Sequence, residues 1–390
     1  MKLFVLTSRF PYPLEKGDKL RIYHQIRYLS KHHEIILCAL DEKKITQAQL
    51  NQLKPFCSSI HVFRNYKWLA RLRAMLWFLW GGELQVHYFY SKLFSRKITK
   101  LIFEHKPDHI YCQLIRMAEY VKELAHIPKS LDYMDAFSIG MMRQSSDTSF
   151  PFNHIYKQES KRLKAYEAQI FHDFDVCTII SEQDREHIKA SHQEEIKIVP
   201  NGVDTDFFWY CEDGVSKTSD VLFLGNMSYY PNVKAAEYLA EHIYEPMAAN
   251  NKNFVTTIAG ANPAAHLLKL NAGNLKVLGW VDDVVEVYHS ARVFVAPLFH
   301  GSGMQNKILE AMACGIPIIT TTQTNNAINA KPEVEILIAD TEEEMHAHIH
   351  RLKQDTEYYN ALRANARRFV VQNFSWETFV NQLNQAIIQA

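Results

Sequence analysis

Residues 3–6 and 35–40 are apolar at nearly every position, whereas residues 20–30 repeat apolar side chains at three- and four-residue steps. Short continuous apolar runs predict strands covered on both faces, and the stepped pattern predicts the helices that cover them. Residues 3–6, a Pro/Gly loop over 9–19, a helix over 20–30 and a strand over 35–40 make one βαβ unit. Strands follow at 109–112, 130–133, 176–180 and 196–199, with a long helix over 156–171. From Pro200-Asn201-Gly202 to Asp220 the chain turns to Asp, Gly, Ser, Thr and Lys with little periodicity, which marks a linker. A fresh series then begins: strand 221–225, helix from about Val233, strands 255–260 and 276–279, helix 284–290 and strand 293–297. The expected class is α/β, built as two Rossmann-like halves.

The 390 residues are enough for two domains with full cores. Lys+Arg and Asp+Glu both number 43, so no whole-molecule field draws the chain to nucleic acid, and no nucleic-acid partner is expected. The six cysteines show no C-x-x-C spacing, which argues against a disulfide framework or zinc site and for a reducing compartment. The apolar run after Lys2 is too short for a signal peptide, and no run reaches the roughly 18 residues of a spanning helix. A cytoplasmic location is the expectation.

The chemistry concentrates between Val295 and Pro317. A buried strand ends at Pro297, His300-Gly301-Ser302-Gly303 allows close backbone approach, and a helix starts near Lys307. The first N–H groups of such a helix face an anion at the strand ends. Lys307 suits a diphosphate, and Glu310 suits the two hydroxyls of a ribose. The alternative is an ordinary strand–turn–helix with a surface Lys/Glu pair.

This run resembles the nucleotide-sugar motif of the GT-B glycosyltransferases of family four. Ser8 to Pro13 with Lys16-Gly17-Asp18, Val199 to Asp204, Leu278 to Asp283 and Gly225 to Asn232 are similar to other stretches of that family. The resemblance implies a GT-B architecture, two Rossmann-like domains facing each other across a cleft. Residues 1–202 would form the acceptor domain and residues 203–374 the donor domain, with a helix over 375–390 returning to the first. It implies a sugar donor activated as a nucleoside diphosphate of UDP or GDP type, a glycan, polyprenyl-linked or glycolipid acceptor, and no metal or other cofactor. By position, Glu310 matches the second glutamate of the family pair, Lys307 lies at the diphosphate with Gly301, Ser302 and Gly303, and Gly17 matches the loop glycine near the donor phosphates. Trp280 and Val281 match the segment that reads the base. Ser302 stands where the family has its first glutamate, and Asn226 with the Pro231-Asn232 turn stands where it has Arg and Lys. Lys307, with Arg9, Lys16 or Arg21, would then supply the positive charge.

Asp132 and Asp135 end a predicted strand and are the candidate acid–base groups, with Asp135 preferred; the alternative for Asp135 is a helix cap. Asp204-Thr205-Asp206 spells a metal-binding tripeptide without a strand to aim it. His346 and His350 lie one helical turn apart, but two ligands do not close a site. Over 64–80, a helix would gather Arg64, Lys67 and Arg71 on one side and apolar groups on the other, with Trp68, Trp77 and Trp80 at the boundary. That pattern fits a helix lying on the inner face of the cell membrane, or a core helix with buried aromatics. Two rivals to a transferase stay open: a non-catalytic nucleotide-sugar-binding or assembly module, and a nucleotide-sugar epimerase.

Overall fold

The computed structural model describes residues 1–146, 148–211, 216–227, 229–299 and 305–390. The chain divides into two units, Met1–Asn201 with Trp376–Ala390, and Gly202–Ser375.

The first unit holds seven parallel strands: β1 (Lys2–Thr7), β2 (Glu34–Asp41), β3 (Ser59–Arg64), β4 (His109–Gln113), β5 (Lys129–Asp132), β6 (Val176–Ile179) and β7 (Lys197–Ile198). Their order is β3-β2-β1-β4-β5-β6-β7. Leu3 to Leu6 and Ile35 to Leu40 are buried throughout, as strands covered on both faces require. Because β1 pairs with both β2 and β4, the order reverses there, and the loops leaving the carboxyl ends of β1 and β4 diverge to leave a crevice. The helix Gly17–Leu29 opens at that crevice.

The final helix, Trp376–Ile388, belongs to this unit. Trp376 is almost fully buried and stacks on His24 at 4.8 Å, and Lys31 pairs with Glu377 at 2.7 Å. Aromatic stacking and apolar burial, rather than the exposed ion pair, hold it.

The second unit repeats the plan with six parallel strands: β8 (Ser219–Leu224), β9 (Thr256–Ala259), β10 (Leu275–Val277), β11 (Ala291–Ala296), β12 (Ile318–Thr320) and β13 (Leu337–Ile338). The order β10-β9-β8-β11-β12-β13 reverses between β8 and β11. Two helices, Glu342–Gln354 and Thr356–Asn373, complete the unit; Thr341 and Glu344 form a reciprocal cap on the first and Asp355 caps the second.

Several boundaries differ from the sequence expectation. The long helix runs Phe152–Ile170, starting four residues before Tyr156. Over 64–80, Arg64 closes strand β3 and the helix spans only Lys67–Leu79, so Arg64 does not share a helix face with Lys67 and Arg71. The backbone N–H of Asn65 still pairs with the Asp41 carbonyl at the end of β2, which keeps that segment extended.

Candidate functional site

In the second unit the carboxyl ends of three adjacent strands run into glycine: Gly225 after β8, Gly260 after β9 and Gly279 after β10. Gly225 donates to Ala259 at 3.0 Å and Gly260 to Gly279 at 3.1 Å. A Cβ on Gly260, at φ +140°, would lie 1.9 Å from the Gly225 carbonyl oxygen, and one on Gly225 would lie 2.8 Å from the Asn232 side chain. These glycines let the strand ends close up and seat Asn232 beneath Asn226.

Asn232 is buried, donates from Nδ2 to the Asn226 carbonyl at 2.8 Å and accepts on Oδ1 from Lys307 Nζ at 2.6 Å. Lys307, in the first turn of the helix Asn306–Ala313, also donates to Gln305 Oε1 at 3.2 Å and lies 5.4 Å from the Phe223 ring centre. Burial pulls its ammonium down to about 8, against a smaller opposing effect of Glu310. Asn226 and Lys307, which follow the two switch-point strands, are thus joined through Asn232. One turn further along, Glu310 accepts at Oε2 from the Tyr288 hydroxyl at 3.0 Å. Burial raises the Glu310 carboxyl, and Tyr288 and Lys307 partly offset this. Tyr288 is itself buried against Phe294, at 5.8 Å, and also donates to the Lys307 carbonyl at 3.1 Å. A rigid phenol therefore holds one carboxylate oxygen of Glu310.

Trp280 follows Gly279, is exposed, and donates to Asp282 at 3.1 Å; Val281 is half-buried beside it. Gly301, Ser302 and Gly303 lie outside the described residues.

In the first unit, Asp132 ends β5 with no exposure. Arg21 donates to it from Nε at 2.7 Å and Nη2 at 3.0 Å; Thr178 at 3.0 Å, Tyr111 at 3.2 Å, the Met134 N–H at 3.3 Å and Gln25 Nε2 at 3.4 Å also donate. Burial opposes its charge, but Arg21, then Thr178 and Gln25, hold the carboxyl below its usual range. This corrects two expectations. Asp132 has no open lone pair to take a substrate proton, and Arg21, equally buried and also donating to Asn201, has no charge to spare for a donor phosphate.

Asp135 differs because Met134 between them takes a left-handed φ of 62°, which turns the chain at the strand end. Its carboxylate makes no side-chain hydrogen bond to any described residue and lines a cavity of about 290 Å³ with Gln85, Arg116 and Asp184. Burial first, then the Asp184 charge, push it up to about 6. A carboxyl so placed is ionised near neutrality yet basic enough to accept a proton. It does not cap a helix by a side-chain bond. Gly17 opens its helix with a bare Cα facing Met134, whose Cε would sit 3.2 Å from an added Cβ.

The helix Lys67–Leu79 buries only Ala70 and Ala74, which overturns the core-helix alternative. Trp68 and Trp80 are 66% and 88% exposed, Trp77 stacks on His87 at 4.4 Å, and Lys67 pairs with Glu42 at 3.3 Å. Arg71 is exposed. Among the described residues no helix is long and apolar enough to cross a membrane. Asp204 accepts from the N–H groups of Asp206 and Phe207 as a turn, and His346 bonds the His242 carbonyl at 2.8 Å. Among the described residues no three ligating side chains gather around a metal position.

Tyr288, Arg116 and Gln25 escaped the sequence reading, and Asn232 entered it only as part of the turn that replaces the family's Arg and Lys, not as a partner of Lys307. Asn232 had one usable signal, its place in the Pro231-Asn232 turn after Gly225; the others carry no spacing pattern at all.

Two parallel α/β units, the second with a lysine and a glutamate at the helix that follows its switch-point strand, make a fold of GT-B type. Residues 218–355 match the family described as glycosyl transferases group 1. It is 23% identical to an uncharacterized 44.6 kDa protein in the cps region of Klebsiella pneumoniae, over 96% of each chain. It is 25% identical to the Escherichia coli UDP-Gal:alpha-D-GlcNAc-diphosphoundecaprenol alpha-1,3-galactosyltransferase, over 50% of this chain and 54% of that one. The fold is similar to that of Anabaena HepE in complex with UDP and glucose, with a TM-score of 0.68 and 14% identity over the whole of both chains.

Proposed function

We propose that the protein moves a sugar from a nucleoside diphosphate sugar, of UDP or GDP type, to a hydroxyl of a glycan or lipid-linked acceptor in cell-surface polysaccharide or glycolipid synthesis, without a metal. The observation that carries this is the pair of supported groups on one short helix: Lys307 braced by Asn232, and Glu310 braced by Tyr288. Lys307 faces the diphosphate as a cation whose charge is poorly solvated and gains most from an anion. The oxygen of Glu310 not engaged by Tyr288 accepts from the ribose hydroxyls. Asp135 takes the acceptor proton if the anomeric centre inverts; if it is retained, the leaving phosphate takes the proton and Asp135 orients the acceptor. The names of the relatives support the reading: a UDP-galactose enzyme acting on a lipid diphosphate, a protein of a cps region, and a fold neighbour that binds UDP and glucose.

Thermal unfolding with UDP, GDP and their sugars, with and without EDTA, tests this on wild type and Glu310→Ala. Ligand at ~100 times its dissociation constant should stabilise the fold by about 2.7 kcal/mol. The expected result is a shift with one nucleotide that survives EDTA and is lost in the variant, followed by turnover only when an acceptor is present. Binding without turnover on any acceptor supports a non-catalytic module, and conversion of donor alone to an epimer supports an epimerase. No shift with any nucleotide refutes the donor assignment.

A further inference from the structure

The turn that carries Asp135 is fastened on both sides by one residue of the helix Phe152–Ile170. Before Asp135, the buried Tyr133 hydroxyl donates to the Glu167 carbonyl oxygen at 2.8 Å. After it, the Ser138 N–H donates to Glu167 Oε1 at 3.0 Å, in the first turn of the helix Phe137–Ser146. The Ser138 carbonyl is tied to the same long helix by the Ser160 hydroxyl at 2.7 Å. Glu167 thus supplies the helix cap that Asp135 does not.

Glu167 is fully buried, and its Oε2 makes no hydrogen bond among the described residues. Burial pushes its carboxyl up to about 7, against the pull of Ser138 and Phe137 at the start of the capped helix. A carboxyl raised on folding binds its proton more tightly in the folded state, so its contribution to stability falls as pH rises from its ordinary value to about 7. Fold stability does not account for such a residue, and what it touches is the turn at Asp135. Met134 in that turn is left-handed, at φ 62°, a conformation that persists only where its surroundings fix it. Phe137, Ile139, Gly140, Met141 and Arg143 of the capped helix line the cavity with Asp135, and the Arg116 guanidinium lies over the Phe137 ring at 4.5 Å. Movement of the helix start would open that wall and hydrate Asp135. The largest charges acting on Asp135 are those of Asp184, Arg21, Asp132 and Asp18, while Arg116 and Arg143 line its cavity. Glu167 reaches Asp135 through the backbone rather than as a charge.

We propose that Glu167 is the positioning residue of Asp135: it holds both ends of the turn Tyr133–Ser138 and keeps the Asp135 carboxyl inside its cavity, in place for the acceptor hydroxyl. Its part in transfer rests on the reading above; the clamp on the turn does not. The full chain, isotope-labelled at the aspartate carboxyls, is titrated by NMR, with the Asp135 signal assigned from its loss in Asp135→Asn. The wild-type midpoint should lie near 6. In Glu167→Ala it should fall by at least about half a pH unit toward the ordinary aspartate value of about 4, and kcat should drop about tenfold or more with donor KM unchanged. Glu167→Gln, which keeps an acceptor oxygen for the Ser138 N–H, should retain the midpoint and stay within about threefold of the wild-type kcat. Tyr133→Phe removes only the other fastening; it should move both quantities in the same direction as Glu167→Ala and carries the test if that variant does not fold. A lower Tm with midpoint and kcat unchanged would make Glu167 a structural residue only and overturn the proposal. A fall in Glu167→Gln as large as in Glu167→Ala would make it a charge acting directly on Asp135 and overturn it equally. Transfer with unmoved midpoints in the variants overturns the clamp and leaves the transfer reading standing. Moved midpoints without transfer to any acceptor uphold the clamp and overturn the transfer reading alone.

Discussion

Replacing Arg21 by methionine removes the one cation that, among the described residues, is bonded to the fully buried Asp132 carboxylate. The side chain keeps much of its volume, so the change isolates the charge. Asp132 loses its two shortest bonds to a side chain on Gly17–Leu29, at 2.7 and 3.0 Å, and retains only neutral donors. Breaking one side of a buried ion pair costs about 3–5 kcal/mol, because the remaining charge stays desolvated. For a unit of this size that corresponds to a fall in Tm of about 6–20 °C. Urea or thermal unfolding of the first unit measures it. The sign with pH is fixed by the pair: the wild-type Asp132 carboxyl is held below its usual value, so its contribution is complete above about pH 4 and is lost as pH falls through the folded-state value. In the variant, burial without a counter-ion raises the same carboxyl, which takes up a proton as pH falls. The gap between the two proteins should therefore be largest at neutral pH and narrow toward pH 4. A difference below about 1 kcal/mol at pH 7, or one constant down to pH 4, would refute the role given to this pair. Arg21→Met combined with Asp132→Leu should recover most of the loss.

Other outcomes follow from the remaining groups. Asp135→Asn should lower kcat with little change in donor affinity and flatten a rise in activity with pH centred near 6; it should also stabilise the fold above that pH, since it removes a charge that burial disfavours. Donor KM in the wild type should climb as pH passes about 8 and Lys307 loses its proton, and Lys307→Met should make KM high and independent of pH, both checked by steady-state kinetics. Gly225→Ala, whose new methyl would press on Asn232 at 2.8 Å, should raise donor KM by displacing the partner of Lys307 while leaving the first unit's unfolding unchanged.

The strands were legible because a parallel sheet covered on both faces demands unbroken apolar runs, which β1, β2 and β8 supply. The placement of Lys307 and Glu310 one turn apart on one helix was legible because strand, glycine-bearing loop and helix follow one another directly in the sequence. What supports them was not: Asn232 lies 75 residues before Lys307, Tyr288 lies 22 before Glu310, and Arg21 lies 111 before Asp132. Such pairs depend on which strands become neighbours, and no local period records that. The same reason explains the error at Asp132. Two aspartates three positions apart look equivalent in sequence, and only the left-handed turn at Met134 sends one into the core and leaves the other in a cavity. At Arg64 the helical pattern extends past the true boundary because a strand residue happened to fall in phase with the helix that follows.

The return of Trp376–Ile388 to the first unit has a consequence during synthesis. His24 must wait for Trp376, and the ribosome has to make the whole of Gly202–Ser375 in the interval. At roughly 5–20 residues per second that is a delay of about 10–35 s, during which the His24 side of Gly17–Leu29 stays uncovered. A premature stop just before Trp376 would leave every residue of the second unit intact and yet cripple the first. A nonsense mutation at Trp376 would thus damage a unit most of which is translated long before it.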